Sequence, residues 1–212
     1  MIAIIDYKAG NLRSVERALR ALGFPCRITG ESAEILAAER VVFPGVGAAG
    51  KAMAYLRELG MDQVLSRVLE NGTPFLGICL GAQIILDNSE EDAAACLGLM
   101  AGASKGFSVP LTGPGGERLK IPHMGWNGLE IVRDHPVLNG VHPEDEFYFV
   151  HAYYPAPSSD THILGTTEYG IRFASVLGSR NLIAMQFHPE KSGRPGLRIL
   201  ENFCHWNGIY VE

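Results

Sequence analysis

One of the four cysteines stands between two glycines, where an apolar run passes into a helical pattern. This Gly-Ile-Cys-Leu-Gly element, residues 77–81, overlaps the predicted strand 75–78 and opens the predicted helix 80–86. A G-x-C-x-G element placed there is the cysteine version of a nucleophile elbow, in which small residues allow a sharp turn. The helix N-terminus favours a thiolate at Cys79, and the Leu80 N–H is a natural oxyanion donor. On its own, the element fits catalysis and tight packing around a small buried cysteine equally well.

A thiolate nucleophile needs a base, and the base needs a carboxylate that orients it. His188 and Glu190 supply such a pair directly after the apolar run 182–186. Because one residue separates them, an extended backbone would place both side chains on the same side at the end of a strand. Together with the elbow, this H-x-E pattern predicts a catalytic triad of Cys79, His188 and Glu190.

A glycine-rich turn follows another apolar run. Pro44, Gly45, Val46 and Gly47 come directly after the predicted strand 41–43. Glycines at the carboxyl end of a strand let backbone N–H groups face a cleft, where an acyl-transfer enzyme needs donors for its oxyanion. An ordinary glycine-rich turn has the same composition. A phosphate loop is excluded because no Gly-Lys-Ser/Thr follows.

These motifs must be positioned by a sheet whose strands end at one edge. In the first ninety residues, short apolar runs alternate with helical patterns. The strands are predicted at 2–5, 26–29, 41–43 and 75–78. The first helix has its apolar face at Leu12, Val15, Leu19 and Leu22, after Asn11 as a candidate N-cap. The alternation predicts a three-layer α/β fold with a mostly parallel central sheet.

After about residue 87 the sequence becomes rich in turns and short strands. We predict strands at 119–121, 129–132, 147–150, 163–167, 173–176 and 182–186. The segments 89–95 and 112–116 are predicted loops. A closing helix is predicted from Leu197, Leu200, Phe203 and Trp206. Because neither loop has the length of a linker, we expect residues 1–212 to form a single domain with a strand-rich second half.

The composition excludes several classes of protein. The chain has 212 residues, 47% of them hydrophobic, and can bury a sizeable core. A net charge of -5 argues against nucleic acid and anionic membranes as partners. Four cysteines without a C-x-x-C pair predict free thiols in a cytoplasmic protein, with neither a zinc site nor disulfides. The apolar opening 2–5 is too short for a signal sequence or a membrane span. We expect no cofactor and no metal.

Taken in order along the chain, these motifs resemble those of the class I, triad-type glutamine amidotransferases, whose signatures are P-G-x-G, G-x-C-x-G-x-Q and H-P-E. More closely, the sequence resembles the glutaminase subunits of imidazole glycerol phosphate synthases. The resemblance covers nearly the whole length. It rests on Asp6-Tyr7 with Gly10-Asn11, and on residues 44–47, 77–83, 123–127, 148–151 and 187–192.

The resemblance implies a reaction for the triad. Cys79 would attack the side-chain carbonyl of glutamine, His188 would relay protons, and Glu190 would orient His188. A γ-glutamyl thioester would form and then be hydrolysed to glutamate.

The resemblance also implies residues that bind the substrate and its oxyanion. Gly47 and Gln83 match positions that contact the bound glutamine. Val46 matches a strand whose peptide completes the oxyanion hole after it reorients, beside Gly47 and the Leu80 N–H.

A partner is implied as well, since the family delivers its ammonia to a (β/α)8-barrel cyclase subunit in a heterodimer. Asn11, Trp126, Tyr148 and Lys191 match positions that face this partner. By residue type alone, Trp126 and Tyr148 would be core or half-buried aromatics, and Lys191 a solvated charge.

The sequence departs from the family pattern at Lys8, at Ala82 and in the segment 101–105. Three alternatives therefore stay open: a paralogous subunit that feeds a different acceptor enzyme, a cysteine hydrolase that cuts γ-glutamyl peptides, and a non-catalytic protein that kept the fold. Gln83 and the segment 123–127 favour the amidotransferase over the hydrolase. The complete set of triad residues argues against a non-catalytic protein.

Overall fold

The computed structural model describes residues 1–8, 12–108 and 110–210. The N-cap and partner contact predicted at Asn11 lie outside the described residues. The helices are α1 (Leu12–Ala21), α2 (Ser32–Leu36), α3 (Ala49–Glu58), α4 (Met61–Glu70), α5 (Leu80–Ile84) and α6 (Gly193–His205). The strands are β1 (Ile2–Ile5), β2 (Cys26–Thr29), β3 (Arg40–Gly45), β4 (Phe75–Cys79), β5 (Asn88–Ser89), β6 (Ala94–Ala95), β7 (Gly102–Gly106), β8 (His123–Gly128), β9 (Glu130–Ile131), β10 (Glu146–His151), β11 (Tyr153–Pro157), β12 (Ile163–Glu168), β13 (Arg172–Ser179) and β14 (Leu182–Met185).

The central sheet has eight strands in the order β2-β1-β3-β4-β14-β13-β12-β9. The five strands from β2 to β14 are parallel, and the remaining three add antiparallel pairs at one edge. A two-stranded sheet, β10-β8, and a four-stranded sheet, β11-β7-β5-β6, complete the strand-rich half. The predicted parallel sheet is therefore confirmed. Its strands β3, β4 and β14 lie side by side, so their carboxyl ends meet at one edge.

Two apolar clusters cover the two faces of this sheet. Alternate residues of β1 divide between them: Ile2 and Ile4 pack with α1 and α6, whereas Ala3 and Ile5 pack with α2, α3, α4 and α5. Strands buried on both faces are apolar at every position, which explains their continuous hydrophobic runs. The predicted three-layer arrangement is confirmed. The interpretation of residues 1–212 as a single domain remains a prediction.

The strand predicted at 119–121 is wrong. The segment is a loop, and its Lys120 carbonyl accepts a hydrogen bond from the Tyr169 hydroxyl at 2.8 Å. Its apolar side chains still pack, partly buried, against the core. Pro122 follows and has no N–H to donate to a ladder. The hydrophobic pattern of this segment thus reflects packing without strand pairing.

Lys8, one of the departures from the family pattern, has a backbone conformation that is unfavourable for a residue with a side chain. Its φ is 68°, in the left-handed region that favours glycine, and a residue with a Cβ there costs roughly 1–2 kcal/mol. Two local contacts offset part of this cost. The Lys8 N–H donates to the Asp6 carboxylate at 3.1 Å, and the ammonium lies 3.7 Å from Glu58.

Candidate active site

Cys79 lies at the carboxyl end of β4, where the chain turns into α5. Its φ of 55° and ψ of -111° are uncommon for a residue with a side chain. The sharp turn of the elbow is therefore taken by Cys79 itself. Neither Gly77 nor Gly81 has a positive φ, so the two glycines do not supply the turn as the sequence had suggested.

The glycines of the elbow are required for close packing instead. A Cβ on Gly81 would overlap with the carbonyl oxygen of Phe43 on β3. A Cβ on Gly77 would lie 3.0 Å from the Cβ of Ala184 on β14. These contacts seat α5 directly on the sheet and fix the direction in which Cys79 points.

We expect the Gly81→Ala substitution to destabilise the protein by about 1–3 kcal/mol, because the added methyl group must push α5 away from β3. Denaturant unfolding of the variant measures this loss. Gly128→Ala is the matched control, since a Cβ there meets no atom within 4 Å and its backbone has no positive φ. Equal unfolding midpoints for the two variants would contradict the packing role of Gly81.

His188 follows β14, the neighbour of β4 in the sheet. Its Nδ1 lies 2.8 Å from Glu190 Oε1, and the two side chains are 3% and 1% exposed. Pro189–Lys191 form a short 3-10 turn, so the pair meets across a turn and not along the extended strand that was predicted. The Ser192 hydroxyl donates to the His188 carbonyl at 2.6 Å and holds this turn.

The environment of His188 favours its protonated form. Burial alone would lower its pKa, but contacts with Cys79 and Glu190, and their negative charge, outweigh burial and raise the pKa to about 9. The second ring nitrogen, Nε2, has no hydrogen-bond partner among the described residues. His188 is therefore held by Glu190 at Nδ1, and its contact with Cys79 leaves Nε2 without a full hydrogen bond.

Cys79 and His188 both face a cavity of about 360 Å³ at the carboxyl ends of β3 and β4. It is lined by Val46, Gly47, Cys79, Leu80, Gln83, Glu91, Pro122, Val150, His151, Ala152, Tyr153 and His188. The residues predicted for the nucleophile, base, oxyanion donors and substrate contacts thus meet in one place. Glu190 lies behind His188.

The predicted oxyanion segment borders Cys79. Gly45 pairs with Cys79 in the register of β3 and β4. Val46 is 37% exposed, and Gly47 has a φ of 94° with no atom near a would-be Cβ. The peptide between them is therefore open to the cavity, with room to reorient.

Both amide hydrogens of Gln83 are donated to other groups of the protein. Its Nε2 donates to the Tyr153 carbonyl at 2.8 Å and to Gln186 Oε1 at 3.0 Å. The Nε2 of Gln186, in turn, reaches Cys79 Sγ at 3.8 Å. Gln186 was not predicted as a site residue, although a polar residue at the end of an apolar run is a signal that could have indicated it.

Glu91 was missed as well, because 89–95 was treated only as an acidic loop. The segment starts at the last residue of β5 and ends with β6, and the pairing of these strands brings the Glu91 carboxylate to the cavity. Its Oε2 accepts a hydrogen bond from the Ala49 N–H at 2.8 Å. It is the one carboxylate that lines this cavity among the described residues.

An exposed aromatic face lies next to the triad, on the β10-β8 sheet. Trp126 and Tyr148 are cross-strand partners with ring centroids 6.1 Å apart, and the Lys191 ammonium lies 5.8 Å from the Tyr148 ring. Trp126 is 53% exposed and Met124 62% exposed. Neither belongs to the core, contrary to what residue type alone would favour for the tryptophan.

This face is joined to His188 by a backbone hydrogen bond. The His188 N–H donates to the Tyr148 carbonyl at 2.9 Å, and the two rings are 6.5 Å apart. A molecule that covered Trp126 and Tyr148 would therefore contact β10, the strand whose Tyr148 carbonyl is hydrogen-bonded to His188.

No group of three or more metal-ligating side chains lies together in the parts of the chain that the structure describes. In the same parts, no helix combines the length and the apolar character needed to cross a lipid bilayer.

Comparison with known proteins identifies the family to which this site belongs. The family described as glutamine amidotransferase class-I matches residues 3–206. Imidazole glycerol phosphate synthase subunit HisH of Desulfovibrio desulfuricans is 52% identical over 206 residues, covering 97% of this chain and 94% of that protein. The HisH subunit of Nitratidesulfovibrio vulgaris is 51% identical over 203 residues, covering 96% and 95%. The solved structure of PurLQS from Thermotoga maritima superimposes with a TM-score of 0.74 at 16% identity, covering 96% of this chain and 97% of that one, and so speaks for the fold alone.

Proposed function

Because this chain belongs to the class I glutamine amidotransferases and acts on the amide of glutamine, we propose that it is the glutaminase subunit of an imidazole glycerol phosphate synthase in histidine biosynthesis. It would hydrolyse glutamine to glutamate and ammonia and deliver the ammonia to a cyclase subunit. The observation that carries the chemistry is the convergence of Cys79 and His188 on one cavity, with Glu190 bonded to the far side of the His188 ring.

In the first half of the reaction, the Cys79 thiolate attacks the side-chain carbonyl carbon of glutamine. A C–S bond forms and the carbonyl oxygen takes the negative charge. The His188 imidazolium then gives its proton to the amide nitrogen, the C–N bond breaks, and ammonia leaves. A γ-glutamyl thioester remains on Cys79.

In the second half, water attacks the thioester while neutral His188 takes one of its protons. The C–S bond breaks, the Cys79 thiolate and the His188 imidazolium are restored, and glutamate leaves after losing its γ-carboxyl proton. Glu190 accepts the Nδ1 hydrogen throughout and holds the ring in one orientation.

The oxyanion formed at each attack needs N–H donors. The Leu80 N–H, at the start of α5, follows the nucleophile directly, as in other elbows. The second donor in this proposal comes from the peptide that joins Val46 to Gly47, once it turns toward the cavity. Gly47, with its positive φ, permits that turn without a steric clash.

The amino-acid end of the substrate is recognised by groups of the same cavity. Both amide hydrogens of Gln83 are used within the protein, so what Gln83 offers the ligand is its Oε1 acceptor. The Glu91 carboxylate adds a negative charge. Together with Gly47, these groups suit the α-ammonium of glutamine.

His188 sets an upper pH limit on this reaction. Its pKa is about 9 in the folded protein against 6.5 in the unfolded chain, so folding tightens proton binding. The resulting stabilisation is fully present below pH 6.5 and is lost as the pH rises through about 9. The proton lost is the one given to the leaving ammonia, so we expect kcat to fall above this pH.

A pH profile of glutamate release at saturating glutamine checks this limit, with circular dichroism at each pH to confirm that the protein stays folded. A rate that holds steady far into the alkaline range would show that the His188 proton is not the one transferred.

The partner surface in this proposal is the face formed by Met124, Trp126, Tyr148 and Lys191. Exposed aromatic and methionine side chains are typical of interface centres. The face adjoins the backbone of His188, so docking of a cyclase there is placed to influence the triad.

The activity itself is tested by measuring glutamate and ammonia released from glutamine, and glutamate released from γ-glutamyl peptides, by the purified protein with its cyclase present. We expect turnover of glutamine and little of the peptides. Faster cleavage of the peptides would instead favour a γ-glutamyl hydrolase.

A further inference from the structure

A buried chain of hydrogen bonds runs from β8 toward the nucleophile, and the proposed reaction does not account for it. Asn127 Nδ2 lies 3.3 Å from His123 Nε2, and His123 Nδ1 lies 3.0 Å from His151 Nε2. His151 Nδ1 lies 2.8 Å from the Tyr153 carbonyl oxygen. The two histidines are 2% and 5% exposed.

The chain continues to the sulphur through two amides. The Tyr153 carbonyl accepts a second hydrogen bond from Gln83 Nε2, which also donates to Gln186 Oε1. Gln186 Nε2 then lies 3.8 Å from Cys79 Sγ. Gln186 is completely buried, so its side-chain amide cannot form hydrogen bonds with solvent.

Every donor in the histidine part of the chain has a fixed direction. A carbonyl can only accept, so His151 Nδ1 carries a hydrogen. Burial lowers the pKa of His123 to about 4 and of His151 to about 3, so both rings are neutral near pH 7. His151 Nε2 must then accept from His123 Nδ1, and His123 Nε2 from Asn127.

The direction of the Gln186 amide is fixed in the same way. Its Oε1 receives the Gln83 N–H, so its own N–H points at the sulphur. An N–H donor beside sulphur stabilises the thiolate relative to the thiol and fixes the position of the side chain.

Aromatic rings hold the first histidine in place. His123 is stacked between Phe149 and Tyr169, with ring centroids 4.8 and 3.9 Å away. A ring clamped on both faces cannot swing out of line, so the His123 donor stays aimed at His151.

We propose that Gln186 contacts the reacting sulphur as a hydrogen-bond donor, and that His123 and His151 are positioning residues that hold Gln83 and Gln186 through the Tyr153 carbonyl. The inference rests on the proposed role of Cys79 as nucleophile and adds the residues that orient it.

The first test is Gln186→Met, which removes the donor at nearly the same volume. We expect kcat for glutamine, measured with the cyclase present, to fall about 10- to 100-fold while KM changes less, since a hydrogen bond to a charged group is lost. The rate at which iodoacetamide alkylates Cys79, which needs no partner, should fall as well. Gln186→Glu keeps the acceptor for Gln83 but sets an oxygen against the sulphur, and should lose more.

The second test compares two replacements of His123. The side-chain amide of His123→Asn keeps a donor near the position of Nδ1, whereas His123→Leu has none. We expect the leucine variant to lose kcat about tenfold and the asparagine variant to recover most of it, because one buried hydrogen bond separates them. His135→Asn is the matched control, since His135 is as buried, at 2% exposed, but bonds to the Val137 N–H and takes no part in the chain that leads to Cys79.

A double-mutant cycle joins the two tests. Distant sites with no shared partners give losses that multiply, whereas residues of one network give a smaller combined loss. We expect His123→Leu with Gln186→Met to lose less than the product of the two single losses.

The proposal would be overturned if the kcat losses of the two single variants multiply in the double variant. It would also be overturned by an unchanged kcat in folded Gln186 variants, or by equal kcat losses in the two His123 variants. If Gln186→Met does not fold, the comparison of His123→Asn with His123→Leu still tests the proposal. An inactive Cys79→Ala beside fully active Gln186 variants would refute this inference alone, whereas an active Cys79→Ala would refute the proposed function.

Discussion

The Cys79→Ala variant is expected to lose glutamine turnover by on the order of 10⁴-fold or more, because no other group in the cavity can form the thioester. The fold should survive. Alanine fits the space of the thiol and meets the same backbone strain at φ 55°, so thermal unfolding should shift little. Glutamate release and the unfolding midpoint, measured on the same preparation, check both statements.

Cys96→Ala is the control for this experiment. Cys96 is a half-buried free thiol that does not line the catalytic cavity, so its removal should leave turnover unchanged. Measurable hydrolysis by folded Cys79→Ala, or an equal loss in Cys96→Ala, would mean that the nucleophile has been misassigned.

Addition of the cyclase subunit with its ribotide substrate is expected to raise glutaminase turnover roughly 100- to 1,000-fold, the usual effect of one oxyanion donor. In the proposed function, the open peptide at Val46 and Gly47 would supply the donor only after it reorients, and docking would shift the population toward that state. The check is glutamate release by the subunit alone, with cyclase, and with cyclase plus ribotide.

Trp126→Ala should reduce this stimulation, because the side chain lies on the proposed partner face. Ile209→Ala is the matched control, since Ile209 is also an exposed large apolar residue, 65% exposed, beyond the C-terminal end of α6. Equal glutaminase rates with and without the cyclase would contradict the gating and point to a different acceptor protein.

The sequence predicted the parallel half of the fold well, and for a physical reason. Strands buried on both faces are apolar at every position, so β1, β3 and β4 are visible as short continuous runs. The strand-rich half was harder to predict. At 119–121 an apolar segment packs on the core without pairing, and at β5 and β6 two-residue strands form inside an acidic stretch.

The residues of the candidate site were likewise predictable only in part. Motif spacing was sufficient to predict the elbow and the H-x-E pair, because neighbours in sequence make each of them. Glu91 and His151 come to the cavity, and Gln186 to the sulphur of Cys79, from separate strands and turns, through contacts between residues far apart in sequence. Spacing along the chain carries little information about such contacts. Lys8 is intermediate: its departure was visible in sequence, but its left-handed φ was not.

The central claim, that glutamine is hydrolysed through a thioester on Cys79, is tested most directly by trapping that intermediate. The protein with its cyclase is mixed with glutamine, quenched in acid during turnover, digested and analysed by mass spectrometry. The account predicts a γ-glutamyl group on the peptide that contains Cys79, and none on the peptides of Cys26, Cys96 and Cys204. Glutamate release with no adduct on Cys79, or with the adduct on another cysteine, would contradict it.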